Sequence, residues 1–275
     1  MRHLLSLSDL GRKGISEIFR LADEIIEGKY KNALGGRCAV LFFPASSIRT
    51  RVTFERGIGQ LGGQSILFPS DALDKKEAIE DVFGYLGQWA DLVVVRHKSL
   101  PLMERAAAAS AVPIVNAMTD SNHPCEILSD LYALSKRRTD FTKDRYLFVG
   151  KAGNIGNSWA EAAKILGFEL AQCCGSGYEI PGLPVFHSIR EAAVGRDVIC
   201  TDSLPSAVLP DFAQCQVTRE VMELANDGAV LNPCPPFFRG EEVSADAIAS
   251  GHFVGYGFKK HLTEVQQAVM LYCLS

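Results

Sequence analysis

The sequence predicts an α/β protein of two parallel-sheet domains, and three observations predict it. Short apolar runs alternate with helical patterns along almost the whole chain, as expected for parallel strands joined by helical crossovers. The alternation breaks once, at the basic and polar SKRRTDFTKD (135–144), and then restarts. The residues with chemical potential cluster just after the apolar runs, at the strand ends where open α/β sheets bind ligands. These observations predict two sandwich domains with an active-site cleft between them.

The elements follow in order. Ile15, Ile18, Phe19, Ala22 and Ile26 fall at helical spacing and open the chain with an amphipathic helix. CAVLFF (38–43) is a buried strand. Phe54, Ile58 and Leu61 mark the next helix, stopped by Gly62 and Gly63. SILF (65–68) is a strand, 77–89 a helix and DLVVVR (91–96) a strand. An alanine-rich helix then leads to VPIVNA (112–117), and a longer helix covers 126–138. This places the first domain at 1–138 and the second at 139–258. The second reads RYLFVG (145–150), a helix after NIGNSW, FELAQCC, RDVICTD (196–202), a helix near Val221, GAVLNP (228–233) and HFVGYG (252–257). A last helix starts near His261.

Bulk properties exclude several classes of function. The chain has 275 residues, 47% of them hydrophobic and 22% charged, which is globular composition. A net charge of -4 argues against general binding to nucleic acid or acidic membranes. No run approaches the ~18 apolar residues of a membrane span. Eight cysteines with no CxxC pair form neither a disulfide framework nor a zinc motif, and adjacent Cys173 and Cys174 suit neither. Reduced thiols and a cytoplasmic setting are expected, with no metal and no cofactor.

The most informative stretch is FFPASSIRTRVTFE (42–55). Hydroxyls and guanidinium groups gather where a strand hands over to a helix, whose N–H groups and dipole favour an anion. Alone, it reads equally as a solvated helix start. Arg96 and His97 follow the VVV run; His123 and Pro124 open a helix with Glu126 inside it. Gly150, Gly153 and Gly156 give GxxGxxG, close to a dinucleotide fingerprint but without its GxG spacing or its following acid. Asp202 and Ser206 flank SLP, and Cys234 lies in NPCPP, a loop shaped by prolines.

Taken in order, these segments resemble the aspartate/ornithine carbamoyltransferase (transcarbamylase) family, and most closely its ornithine branch. HLLSLSDL resembles the family's opening, SSIRTRVTFE its Ser-Thr-Arg-Thr-Arg phosphate loop, VVVRH its second basic motif and NHPCE its His-Pro-x-Gln motif. GNIGNSW, TDSLPSA and PCPPFFRGEEV resemble the acceptor-side motifs of the ornithine branch. The resemblance implies transfer of a carbamoyl group from carbamoyl phosphate to ornithine or a related amine. Carbamoyl phosphate falls to Ser47, Ile48, Arg49, Thr50, Arg96, His123 and Glu126, with Arg49, Thr50, Arg96, His123 and Cys234 as the catalytic set. The amine falls to Asn154, Asp202, Ser206 and Cys234. The resemblance further implies a homotrimer with shared sites, each receiving Lys75, or Lys76, from a neighbouring subunit. The segment 259–275 is expected to pack back on the first domain.

The chain departs from the family pattern in several places. Ile48 replaces a hydroxyl residue, Glu126 a Gln, Pro233 a His and Ala207 a Met; the region 174–190 is short, and the late arginine has only Lys259 and Lys260 nearby. Two other readings therefore stand beside the enzyme: a transcarbamylase-like binding protein with altered or lost chemistry, and an NAD(P)-dependent oxidoreductase.

Overall fold

A computed structural model describes residues 1–275 and divides them into two compact units. The first comprises Met1–Leu134 and Lys259–Ser275, the second Ser135–Phe258.

The first unit is built on β1 (Cys38–Phe42), β2 (Gln64–Phe68), β3 (Leu92–Arg96) and β4 (Ile114–Met118), all parallel, in the order β2-β1-β3-β4. Both faces of β1 and β3 are covered, so these strands read as unbroken apolar runs rather than alternating ones. On one face Val40, Phe42, Val93 and Val95 pack with Phe83 of α3 (Ile79–Leu86) and Met103 of α4 (Leu100–Ala109). Around the rest of the unit lie α1 (Gly11–Ile26), α2 (Ile48–Gln60), α5 (Pro124–Ser135) and α10 (Leu262–Leu274). Helix α10 packs against α1 and α2, where Gln267 Nε2 donates to the Gly57 carbonyl at 2.9 Å. The last helix is thus part of the first unit. Helix α4 begins where Ser99 Oγ accepts the Leu102 N–H at 3.2 Å and Pro101 occupies the first turn, a hydroxyl cap that satisfies an orphan donor.

The second unit has a five-stranded parallel sheet in the order β7-β6-β5-β8-β9, formed by β5 (Arg145–Val149), β6 (Glu169–Cys173), β7 (Val185–Phe186), β8 (Val198–Thr201) and β9 (Val230–Pro233). Its helices are α6 (Asn154–Leu166), α7 (Ile189–Ala193), α8 (Arg219–Met222) and α9 (Ala245–Ala249). Leu147, Val149, Ile199 and Leu231 form its core with Phe212 and Met222. Helix α6 stops at Gly167, whose φ of +75° is the left-handed cap that a side chain would strain. Gly156 serves another need. A Cβ there would lie 2.5 Å from Phe148 and 2.7 Å from Ile180, so this glycine lets α6 approach β5 closely.

One expected strand is absent. HFVGYG makes a single bridge, Phe253 to Leu231, and then turns into a 3-10 helix at Tyr256–Lys259. Gly255 takes a φ of +76°, which breaks the extended run. The short region 174–190 holds the two-residue β7 and no helix before α7 begins at Ile189. No helix is long and apolar enough to cross a membrane.

Candidate functional site

In the first sheet the chain turns one way from β1 to β2 and the other way from β3 to β4. The carboxyl ends of β1 and β3 therefore flank a switch point, where open sheets place ligands. Ser47 follows β1 and stands at the N-cap of α2, but its hydroxyl makes no capping bond. It accepts instead from Arg96 Nη1 at 3.1 Å, and Thr50 Oγ1 accepts from the same nitrogen at 3.5 Å. Arg96 ends β3, so one guanidinium ties the two strand ends together. Of the two loop arginines, Arg51 is engaged by Glu55 at 2.7 Å. Arg49 is exposed, and its guanidinium donates no hydrogen bond within the chain, while its carbonyl accepts from Thr53 Oγ1 at 3.0 Å.

His123 leads into α5 and is buried. Burial pushes its pKa down to about 4; nearby Arg96 and Lys259 push the same way and Glu126 opposes them. The imidazole is therefore neutral at pH 7 and offers an N–H without adding charge. Glu126, in the first turn of α5, is also buried, and Lys259 Nζ donates to its Oε1 at 2.6 Å across 133 residues of sequence. The same ammonium contacts Asp130, one turn further along α5. Burial alone would raise the Glu126 pKa, but Lys259, His123 and Arg49 outweigh it and hold the carboxyl below its ordinary range. The substitution of Glu for Gln is thus matched by a lysine that the sequence placed only near the family's late arginine.

His97, the neighbour of Arg96, has another role. Its Nδ1 accepts the Ser99 N–H at 3.1 Å, which leaves Nε2–H to donate to Asp74 at 3.1 Å. That bond anchors the 3-10 turn Ser70–Asp74 to the segment after β3. Lys75 and Lys76 follow the turn, exposed and without a hydrogen bond or ion pair in the chain. Neither is among the residues gathered around Arg96. Ile48 is 69% exposed and shares its helix face with Val52, which is 57% exposed.

The second sheet has its own switch point, between β5 and β8. Asn154 starts α6 after β5, and its Oδ1 accepts the Ile155 N–H at 2.8 Å. Asp202 follows β8 and caps the Ser203 N–H at 2.9 Å, while its own N–H donates to the Val149 carbonyl at 3.3 Å. Ser206 opens a 3-10 helix, Ser206–Phe212, and is exposed. Cys234 follows β9, buried, with its N–H on the Thr201 carbonyl at 3.0 Å. The second unit also holds a feature that sequence reasoning missed. A cavity of about 190 Å³ is lined by Val149, Leu204, Phe212 and Glu242 among others. Glu242 Oε1 accepts the Phe238 N–H at 2.8 Å, Oε2 is buried without a partner, and burial pushes the carboxyl up to about 6.

Two parallel α/β units, each with polar side chains at the switch point of its sheet, one of them rich in guanidinium and hydroxyl groups, define the class of open-sheet α/β proteins whose ligand positions lie at strand ends. Comparison with known proteins is more specific. The family described as "Aspartate/ornithine carbamoyltransferase, carbamoyl-P binding domain" matches residues 2–136, and its companion "Asp/Orn binding domain" matches 143–273. The chain belongs to the aspartate/ornithine carbamoyltransferase family. It is 34% identical over 299 residues to an ornithine carbamoyltransferase of Paracidovorax citrulli, covering 100% of this chain and 96% of that one. Among solved structures it is similar to ornithine carbamoyltransferase from Burkholderia thailandensis (TM-score 0.92, 29% identity, 100% and 99% of the two chains). It is similar also to that of Thermus thermophilus (TM-score 0.93, 28% identity, 99% of each chain).

Proposed function

We propose that the protein transfers the carbamoyl group of carbamoyl phosphate to the side-chain amine of ornithine and releases phosphate. The observation that carries this reading is the bonding of Arg96 to Ser47 and Thr50 at the switch point of the first sheet, in a chain of this family. Ser47, Arg49 and Thr50, with the backbone N–H groups from Ile48 onward, hold the phosphate. Arg96, Thr50 and His123 donate to the carbonyl oxygen, whose charge grows as the tetrahedral centre forms. His123 suits this role because it stays neutral well below pH 7. Glu126 accepts from the carbamoyl NH2, and Lys259 neutralises a charge that would otherwise oppose the phosphate. Asn154, Asp202, Ser206 and Cys234 hold the amine. It attacks in its neutral form, the C–O bond to phosphate breaks, and the departing phosphate takes the proton.

The assembly belongs to the same proposal. Strand β2 is an edge whose Ile66 and Phe68 face solvent, and Ile48 and Val52 expose apolar surface on α2, which packs against β2. An exposed apolar edge supports association between copies, here a homotrimer in which Lys75 reaches a neighbouring site. The free thiols support a cytoplasmic setting. An oxidoreductase is not favoured, because Gly150, Gly153 and Gly156 lack the GxG spacing of a dinucleotide site and no acid follows at the next strand end.

The test is phosphate release from carbamoyl phosphate with ornithine, acylated ornithines, putrescine, lysine and aspartate in turn. Ornithine-dependent release is expected; no release with any amine would overturn the reading. Light scattering should give the mass of three chains. Inactive Lys75→Ala and Arg49→Ala proteins should regain activity when mixed, if one chain completes another's site.

A further inference from the structure

We infer that Cys174, Glu179 and His187 form a binding site for a borderline divalent transition metal of the zinc class, at the edge of the second sheet and independent of the transfer reaction. The three side chains bring their ligand atoms within 4.8 Å of one another. A tetrahedral zinc ion with bonds of 2.0–2.3 Å sets its ligands about 3.4–3.6 Å apart. Small rotations of the exposed Glu179 and His187 side chains cover the difference.

The backbone frame is rigid. Beyond the β6/β7 pairing, the Cys174 N–H donates to the Phe186 carbonyl at 3.1 Å. This sets Cys174 beside His187. The connection carrying Glu179 is clamped by Gln172, fully buried on β6. Its Nε2 donates to Gly150 and Tyr178 carbonyls at 2.8 and 3.0 Å, and its Oε1 accepts the Ile180 N–H at 2.6 Å. The backbone on both sides of Glu179 is therefore fixed. The carboxylate is aimed by the Gly177 N–H, which donates to Oε1 at 2.9 Å.

The histidine tautomer is the decisive detail. A carbonyl can only accept, so His187 Nδ1 carries the proton it donates to Cys174 O at 2.9 Å. Nε2 then bears the lone pair. Metal-binding histidines commonly have their other ring N–H fixed by a carbonyl or carboxylate in this way. Adjacent Cys173 lies with its sulfur 3.7 Å from that of Cys215, so the two neighbouring thiols serve different surroundings. One sulfur, one imidazole and one carboxylate suit zinc, whereas magnesium and calcium take oxygen ligands. Three protein ligands leave a fourth position for water. Binding replaces the thiol proton, which passes to solvent, so affinity rises with pH. The ion would clip the β6–β7 connection in the region where this chain is shorter than its family.

The test titrates metal-stripped full-length protein with Co²⁺ alone, then displaces it with Zn²⁺. One equivalent should bind with a thiolate-to-cobalt charge-transfer band and tetrahedral d–d absorption. Glu179→Gln and His187→Gln, both at exposed positions, should each weaken binding by about tenfold or more. Cys174→Ser should abolish the charge-transfer band, and Cys234→Ala should keep it. The proposal falls if no stoichiometric binding occurs, if the band survives Cys174→Ser, or if neither exposed variant weakens it. Transfer activity should persist in Glu179→Gln and His187→Gln, so the outcome is separate from that of the proposed reaction.

Discussion

Glu126 in the first unit and Glu242 in the second are the same side chain at nearly the same burial, 7% and 3% exposed, yet their carboxyls move in opposite directions. Glu126 has the Lys259 ammonium at 2.6 Å and is held below its ordinary range. Glu242 has one backbone N–H, one buried oxygen without a partner, and the charges of Glu241 and Asp202 nearby, and it is pushed up to about 6. Burial penalises the ionised form of both, so the partner decides the sign. The first unit therefore compensates its buried carboxylate, while the second stores an uncompensated carboxyl beside a cavity.

The largest expected effect breaks the compensated side of this comparison. Lys259→Met leaves Glu126 and Asp130 as two buried carboxylates without their ammonium. Removing one partner of a buried pair costs about 3–5 kcal/mol, read from urea unfolding. Adding Glu126→Gln and Asp130→Asn should recover most of the loss. A cost below about 1 kcal/mol would mean that the pair is not what keeps Glu126 ionised. Next in size is Arg49→Ala. It removes the exposed guanidinium proposed to meet the phosphate, and carbamoyl phosphate affinity should fall by about 10²–10³-fold in calorimetry, within the range for truncating one partner of a charged pair. Normal affinity would place the phosphate elsewhere.

How much of this was legible in the sequence differs between the two units and between kinds of feature. The strands showed because both sheet faces are covered and their runs are unbroken. The Ser47–Arg51 segment reads as an anion site only together with the later motifs, because alone its hydroxyls and guanidinium groups fit a solvated helix start equally well. Lys259 could not be assigned, because nothing in a sequence signals a contact across 133 residues. Ile48 read as a missing hydroxyl, yet it exposes apolar surface beside Val52. HFVGYG read as a strand because its apolar residues outweighed Gly255, whose positive φ ends the run. The Cys174, Glu179 and His187 set has no regular spacing, and adjacent cysteines argued against it until the β6–β7 register set His187 beside Cys174.

Glu126→Gln sharpens the comparison with a smaller effect. It removes one charge and leaves Lys259 on Asp130, so donor affinity should hold or rise a few-fold, on the order of 1 kcal/mol at most. A fall of more than about tenfold would show that the donor's amide needs the carboxylate's charge, which the oxygen of a glutamine does not replace. The sign of its stability effect is set by the lowered pKa. A carboxyl depressed on folding contributes stability above its unfolded value near 4.5 and loses it as pH falls through the folded value. The cost of Glu126→Gln should thus be present at pH 7 and fade in acid.

Glu242→Gln should do the reverse, and this opposition is the most direct check on the comparison. Its folded pKa is about 6 against an ordinary 4.5, so folding favours the protonated form. Protonation supports the fold fully below about pH 4.5. That support is lost as pH rises through 6, where the buried carboxyl must ionise. A glutamine keeps the oxygen that accepts from Phe238 and never ionises. The variant should therefore be more stable than the parent at pH 8, by on the order of 1 kcal/mol, a gain of roughly 2–4 °C in midpoint, and no more stable at pH 4.5. Thermal melts at the two pH values read this directly. An equal gain at both would assign it to packing in the cavity. A loss at pH 8 would mean that the Glu242 carboxylate has a cationic partner and that the two units treat their buried carboxyls alike.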